Sequence, residues 1–234
     1  MDWRDEGIVL SLRKHGESAV IVHLLTKHHG RHAGLVRGGN STKMRGVLQQ
    51  GNELSVKWHA RLEDHLGSFA IELQEGHAAR VLSDPGRLSS MLSACALLDL
   101  CLPEREPHPD IFATFQALLL ALPDVAWDAA YVAWELSLLA ELGFGLDLST
   151  CAASGATTNL IYVSPKSGRA VSAAAGEDYK DKLLPLPQFL VGKEEIGPRD
   201  IADGLRLTGY FLDRHILVPH AKLLPDARAR IAGN

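Results

Sequence analysis

Short apolar runs, many of them with alternating polar positions, fill the first third of the chain. Each run is rich in Val, Ile and Leu and ends at a polar or Gly-containing turn, which is typical of β-strands in a small barrel or sandwich. Residues 41–50 read as a loop that can hold a turn of helix. The five predicted strands are Gly7–Leu12, Ser18–Thr26, Ala33–Arg37, Leu54–Leu62 and Gly67–Leu73.

Helical spacing of apolar residues replaces this pattern from Ser83 onward. Ser83-Asp84-Pro85 predicts a helix start, with Ser or Asp as the cap and Pro in the first turn. Gly-, Ser- and Ala-rich residues 147–176 interrupt the helices and contain one short predicted strand, Asn159–Val163. The predicted helices are Arg87–Cys101, Asp110–Leu122 with Asp110 as its cap, Trp127–Leu142 ended by Gly143, and Ile196–Val218, followed by the tail Pro219–Asn234.

These elements predict an α+β protein of several domains. We expect a five-stranded β barrel over residues 1–79, an α-helical bundle over 80–146 and 177–234, and a small insertion over 147–176. The cysteines, Cys95, Cys101 and Cys151, are odd in number and far apart, which indicates a reducing compartment. The N-terminus lacks a signal-peptide pattern and no apolar run is long enough for a membrane span, so a cytoplasmic protein is expected.

Charge is distributed unevenly in this mildly acidic chain. The formal net charge is -4 and the pI is about 6.2, yet no Asp or Glu occurs between Glu17 and Glu53. A local excess of cations attracts polyanions, of which nucleic acid is the commonest, although a solvated loop with a chance charge bias is the alternative. The predicted DNA-binding residues are Lys27, Arg31, Arg37, Lys43 and Arg45, with Arg13 and Lys14 extending the patch.

Histidines cluster in the same stretch, at His28, His29 and His32. A structural zinc site needs about four ligands, and this stretch supplies no Cys, Asp or Glu, while Lys27 and Arg31 would repel a cation. We therefore interpret these histidines as solvated turn residues that help to contact phosphate when protonated.

Motifs for catalysis are missing from the sequence. The run from Gly38 to Lys43 lacks the glycine spacing and the Gly-Lys-Ser/Thr order of a phosphate-binding loop. A metal-dependent nuclease would need clustered carboxylates, and the basic stretch has none. Residues 151–154 and 172–175 have the shape of two metal-binding knuckles in which Cys151 is the one remaining cysteine, too few ligands for structural zinc. No enzymatic activity, cofactor or metal is expected.

Three segments resemble the RecO family of bacterial recombination mediators. They are EGIVLSLRKHGESAVIVHLLTKHHGRHAGLVRGGNSTKMRGVLQQG from Glu6, WELSLLAELGFGLDLSTCAASG from Trp134, and YVSPKSGRAVS from Tyr162. They follow the order of that family's opening strands and basic loop, its helix end leading to a knuckle, and its hairpin. Three of the family's four knuckle cysteines are Ser or Ala in this chain.

The resemblance implies an N-terminal OB-fold barrel, a helical bundle and a degenerate zinc-knuckle-like insertion that folds without metal. It also implies binding of single- and double-stranded DNA, annealing of complementary strands without a nucleotide cofactor, and cooperation with RecR and the single-strand DNA-binding protein so that RecA can load. A protein-interaction adaptor with little DNA affinity of its own is the alternative function. Nucleoid association and a role in the DNA damage (SOS) response follow from the same resemblance.

Overall fold

The structure, a computed structural model, describes residues 1–192 and 196–231. The chain forms two compact units. The first contains residues 1–123 and the segment that starts at Pro225, and the second contains residues 124–224 apart from the gap. The predicted helical domain includes residues 193–195 and 232–234, which lie outside the described residues. The predicted domain boundaries at 79/80, 146/147 and 176/177 stay predictions.

Five strands close into a barrel in the first unit. The strand order is β1-β2-β3-β5-β4, and β1 pairs with both β2 and β4 to complete the ring. A five-stranded barrel with this order is the OB-fold arrangement, which confirms the predicted fold class. The strands are β1 (Asp2–His15), β2 (Ala19–Thr26), β3 (Gly30–Val36), β4 (Glu53–His59) and β5 (Ser68–Glu75).

Alternation along β2 from Ala19 to Leu24 contributes to the barrel core. Val20, Val22 and Leu24 point inward and are almost fully buried, while the residues between them face outward. The inward row belongs to the same core cluster as Trp58 of β4 and Phe69 of β5. Burying such side chains is the dominant favourable term in folding.

Helices complete the first unit. Pro85 opens α3, and Asp84 is the cap, because its side chain accepts hydrogen bonds from the backbone N–H of Gly86 and Arg87. The next helix begins at Pro109, one residue earlier than predicted, with His108 in the cap position and Asp110 in its first turn. The helices of this unit are α1 (Thr42–Val47), α2 (His77–Val81), α3 (Pro85–Cys101), α4 (Pro109–Ala121) and, after the second unit, α8 (Asp226–Ala229).

The second unit combines two long helices with a small sheet. Helix α5 (Trp127–Glu141) ends at Gly143, as predicted, where a positive φ of 84° suits glycine. A three-stranded sheet of order β7-β6-β8 follows, with β6 (Leu160–Val163), β7 (Ala170–Ser172) and β8 (Leu184–Pro185), and a short α6 (Ala173–Gly176) leaves β7.

The last predicted helix is shorter and less regular than expected. Helix α7 covers Pro198–Leu212, and the chain then continues as a π-helical turn over Asp213–Leu217 and a 3-10 turn over Val218–His220. Helix α7 packs on α5, where the hydroxyl of Thr208 donates a hydrogen bond to the buried carboxylate of Glu135. The apolar periodicity continues past Leu212, so the sequence pattern alone does not reveal where the regular helix ends.

Candidate nucleic-acid interface

The hairpin of β1 and β2 carries two of the predicted cations. In the strand register Arg13 lies opposite Ile21 and Lys14 lies opposite Val20, close to the turn of the hairpin. Because side chains alternate along a strand, Lys14 shares the inner face with Val20, whereas Arg13 faces outward with Ile21. Both cationic side chains are exposed.

The turn from β3 into α1 brings three more cations to the same end of the barrel. Gly38, with φ of 66°, turns the chain, and Asn40 then bonds to the hairpin through its backbone N–H to Ser18 O (3.0 Å) and its amide to Glu17 O (3.2 Å). These bonds hold the two loops together. We call this surface the basic end; its exposed cations are Arg13, Lys14, Arg37, Lys43 and Arg45.

A cleft of about 400 Å³ lies within the basic end. Its floor is apolar and its rim carries Lys14 and Arg45, and the Nε–H of Arg45 donates to the backbone oxygen of Asn40 (3.3 Å). None of the described residues that line it carries a carboxylate. The lining residues are Leu12, Lys14, Val20, Gly39, Asn40, Arg45 and Leu48.

The positive charge of the basic end is not cancelled by ion pairs. Within the part of the chain that the structure describes, none of its five cations has a carboxylate within salt-bridge distance. Glu17, at the tip of the hairpin, is the acid nearest in sequence to Lys14, and its side chain is exposed. This end of the barrel therefore presents a local positive field.

Lys27 and Arg31, predicted together with these five, lie at the opposite end of β2. Eight strand residues separate the two ends, a distance of roughly 23 Å. The ammonium of Lys27 pairs with the carboxylate of Glu6 at 3.0 Å. The structure thus places the cations of the acid-free stretch in two groups.

Arg31 is held by the segment that includes the end of α3. Its guanidinium donates to Asp99 Oδ1 (3.1 Å) and to the backbone oxygen of Leu102 (2.9 Å), and it lies 3.5 Å from Glu104. Its side chain is 14% exposed, and Asp99 also bonds His23. Burial would raise the pKa of Asp99, but the hydrogen bond from His23, together with Ser11 and Arg31, lowers it. The charge of Arg31 is therefore matched within the protein.

One of the three histidines, His32, corrects the sequence interpretation, whereas His28 is exposed in its turn as predicted. His28 and His29 both bond through Nδ1 to the carboxylate of Asp5, at 2.9 and 2.8 Å, and the Asp5 side chain is 1% exposed. His32 is not solvated: it lies inside the barrel, edge-on to Trp58, and burial lowers its pKa to about 4. A neutral, buried ring cannot contact phosphate. The sequence interpretation did not include Asp5 as a partner of the histidines, because this residue precedes the acid-free stretch in the chain.

The knuckle-like insertion does not fit a metal. The thiol of Cys151 accepts a hydrogen bond from the backbone N–H of Ser172 at 3.2 Å. Desolvation would raise the pKa of this thiol, but hydrogen bonds from Ser154 and Ser172 outweigh it and lower the pKa to about 6. Among the described residues no group of three or more His, Cys, Asp or Glu side chains could hold a metal ion.

Two family models match almost the whole chain. The model described as "Recombination protein O N terminal" matches residues 1–76, and "Recombination protein O C terminal" matches residues 82–224. The chain belongs to the RecO family. The first model covers the residues of the OB-fold barrel that carries the basic end.

Curated relatives in the RecO family are similar over nearly their full length. Proteins named "DNA repair protein RecO" are 53% identical in Rhodospirillum centenum, over 98% of this chain and 93% of the relative, and 52% identical in Methylobacterium nodulans, over 97% and 95%. The protein of that name in Jannaschia sp. is 49% identical over 99% and 95%. In the described residues no helix has both the length and the apolar character that a bilayer crossing requires.

Proposed function

We propose that this chain is a DNA repair and recombination mediator that binds single- and double-stranded DNA through the basic end and anneals complementary strands. The observation that carries the proposal is the set of five exposed cations, without ion pairs in the described chain, gathered at one end of an OB-fold barrel. The barrel and its loops are the surfaces on which OB-folds bind oligonucleotides. The names of the relatives agree with this role.

Contacts to phosphate suit annealing for a physical reason. Lys and Arg at the basic end neutralise the sugar-phosphate chain without reading its sequence. Two strands that are screened in this way repel each other less, while their base edges stay available for pairing. No nucleotide hydrolysis enters this scheme, and we propose that the chain acts as a binding protein and not as an enzyme, in the cytoplasm and at the nucleoid.

The proposed partners follow from membership of the RecO family. With RecR, the chain would help to load RecA on single strands coated by the single-strand DNA-binding protein. The DNA contacts of the basic end are the part of the proposal that the geometry supports residue by residue.

The test is the salt dependence of binding to a labelled single strand. Five phosphate contacts predict that log K falls with log salt concentration with a slope of about -3.5, at 0.7 per contact. Replacing Arg37→Glu together with Arg45→Glu should weaken binding to every sequence alike and reduce the slope by about 1.4. Annealing of complementary strands should slow in parallel.

A matched control distinguishes the effect of the basic end on DNA binding from the effect of the net charge of the protein. Arg4→Glu with Lys57→Glu changes the total charge by the same amount, but these residues pair across β1 and β4, near the N-terminal end of β1 and away from the hairpin. This variant should bind almost like the unaltered protein. Equal losses in both double variants would contradict the assignment to the basic end. Salt-insensitive or absent DNA binding in the unaltered protein would favour the adaptor function instead.

A further inference from the structure

The floor of the cleft at the basic end is apolar, and contacts with phosphate make no use of an apolar surface. Val20 and Leu48 belong to the barrel core and are 7% and 5% exposed, whereas Leu12 above them is 39% exposed. Together they line the floor of the cleft, of which Leu12 is the part most open to solvent. A phosphate group gains nothing from such a floor, but the flat face of a base does, because it is apolar.

The rim supplies the complementary charge. Lys14 lies on the same strand face as Val20, and the guanidinium of Arg45 is anchored at one nitrogen by Asn40 O, which leaves its other N–H groups for a second acceptor. With cations at the rim, an apolar floor and no carboxylate among the lining residues, the cleft suits a ligand that is anionic at one end and flat and apolar at the other.

We propose that this cleft binds one unpaired nucleobase of a single strand, with the adjoining phosphates on Lys14 and Arg45. The volume of about 400 Å³ lies in the range of small-molecule pockets. Bases that leave the stack are held elsewhere between apolar or aromatic side chains in the same way. This inference rests on the proposed DNA-binding function and assigns a base-binding subsite to the same surface.

A base-binding cleft distinguishes single strands from duplexes. A paired base cannot enter the cleft without unpairing and unstacking, which costs a few kcal/mol. A duplex would therefore be bound through phosphates alone, and a single strand through phosphates and the cleft. The base in the cleft is held without contacts that select its identity, so the subsite tolerates any sequence.

The experiment compares two labelled single strands of equal length and equal charge by fluorescence anisotropy. One is oligothymidine and the other is built from abasic units that keep every phosphate. We expect the abasic strand to bind about tenfold more weakly with the same salt slope. This factor is the lower end of what base–aromatic stacking contributes, because the floor here is aliphatic. Equal affinities with an intact salt slope would overturn the cleft proposal and leave the DNA-binding function standing. The loss of salt-sensitive binding to both strands would overturn the two together.

The variant Leu12→Ser tests whether the difference in affinity between the two strands arises at the cleft. Leu12 is partly exposed, so the barrel should still fold, and the variant should bind oligothymidine about as weakly as the abasic strand. Leu73→Ser is the matched control, because Leu73 of β5 is 41% exposed and does not line the cleft. A tenfold preference for oligothymidine that survives in Leu12→Ser would contradict the proposal. The proposal would also be contradicted if an acidic, Leu-containing peptide competed for the cleft while oligothymidine and the abasic strand bound with equal affinity.

Discussion

At the scale of single residues, an acid-free stretch of sequence is not the same as an acid-free surface. The stretch between Glu17 and Glu53 predicts cations without acidic partners, and Arg37, Lys43 and Arg45 meet no carboxylate in the described chain, while their contact with DNA stays a prediction. It failed to anticipate that Asp99 would reach Arg31 and that Glu6 would reach Lys27. These acids come from other elements, and their approach depends on tertiary packing that no local pattern encodes.

Asp5 provides a prediction about pH. Burial would raise the pKa of this carboxyl, but hydrogen bonds from His29 and His28 outweigh burial and hold it below its ordinary value of 3.8. A carboxyl with a lowered pKa in the folded state stabilises that state above the unfolded pKa, and the stabilisation is lost as the pH falls through the folded value. The free energy of unfolding should therefore decrease below pH 3.8.

The variant Asp5→Asn removes the charge and keeps the size. It should lower the free energy of unfolding at neutral pH by about 2 kcal/mol, the scale of a hydrogen bond to a charged group. Its unfolding free energy should also vary less with pH in the acid range. Urea unfolding at several pH values measures both effects, with Asp2→Asn as the exposed control on the same strand. Parallel pH curves for Asp5→Asn and the unaltered protein would contradict this role.

At the scale of elements, the individual strands were easier to predict than the order in which they close the barrel. The density of Val, Ile and Leu in Ser18–Thr26 and the polar turn after it predicted β2 to within one residue. The same reasoning gave the long helices, including the Asp84 cap and the Gly143 end. Contacts between distant segments are not specified by period and composition. Three features depend on them: the strand order of the barrel, the pairing of the three short strands in the second unit, and the π-helical turn after Leu212.

The contact of α3 with the barrel leads to a second prediction. Arg31 of β3 connects to Asp99 and Leu102 at the end of α3, and Gly30 beside it has a positive φ and lies where a Cβ would overlap the carbonyl of Glu106. Arg31 therefore serves to attach these elements. Arg31→Ala should lower the free energy of unfolding by about 2 kcal/mol, because it leaves Asp99 short of a partner.

Measurements of DNA binding distinguish a structural role of Arg31 from a direct contact with phosphate. In Arg31→Ala the salt slope for a single strand should stay at the value of the unaltered protein, whereas Arg37→Ala should reduce it by about 0.7. Both are measured by anisotropy at a temperature where unfolding curves show the variants to be folded. A reduced slope in Arg31→Ala without a loss of stability would return this residue to the DNA-binding surface.

At the scale of the whole molecule, a net charge of -4 and affinity for a polyanion are compatible. Charges in water are screened over about 8 Å at physiological ionic strength, which is less than the length of the barrel strand β2. A bound strand therefore responds to the cations at one end of the barrel more than to acids elsewhere. Local charge in the sequence predicts that surface, but the apolar floor of the cleft, Leu12 and Leu48, lies outside any charge pattern and needed the folded structure.

The knuckle-like insertion of the second unit leads to the last prediction, which concerns metal in the protein as a whole. Where a structural zinc site holds a loop, binding contributes about 10–16 kcal/mol, and removal of the metal unfolds the region. Here Cys151 is held by Ser172, Asp147 pairs with Arg169 at 3.1 Å, and backbone bonds join Asp147 to Gly168 and to Ala170. Each of these contacts joins two protein groups and needs no metal ligand.

Purified protein should therefore contain no stoichiometric zinc, and a chelator such as EDTA should leave its thermal unfolding midpoint unchanged. Elemental analysis and scanning calorimetry measure the two quantities on the same sample. Arg169→Ala should lower the midpoint slightly, because an exposed ion pair contributes at most about 1 kcal/mol. Stoichiometric zinc, together with a midpoint that falls when the chelator is added, would show that Cys151 and ligands from outside the insertion bind a metal after all. Zinc that is removed without any change in the midpoint would indicate surface binding and would leave the metal-free insertion intact.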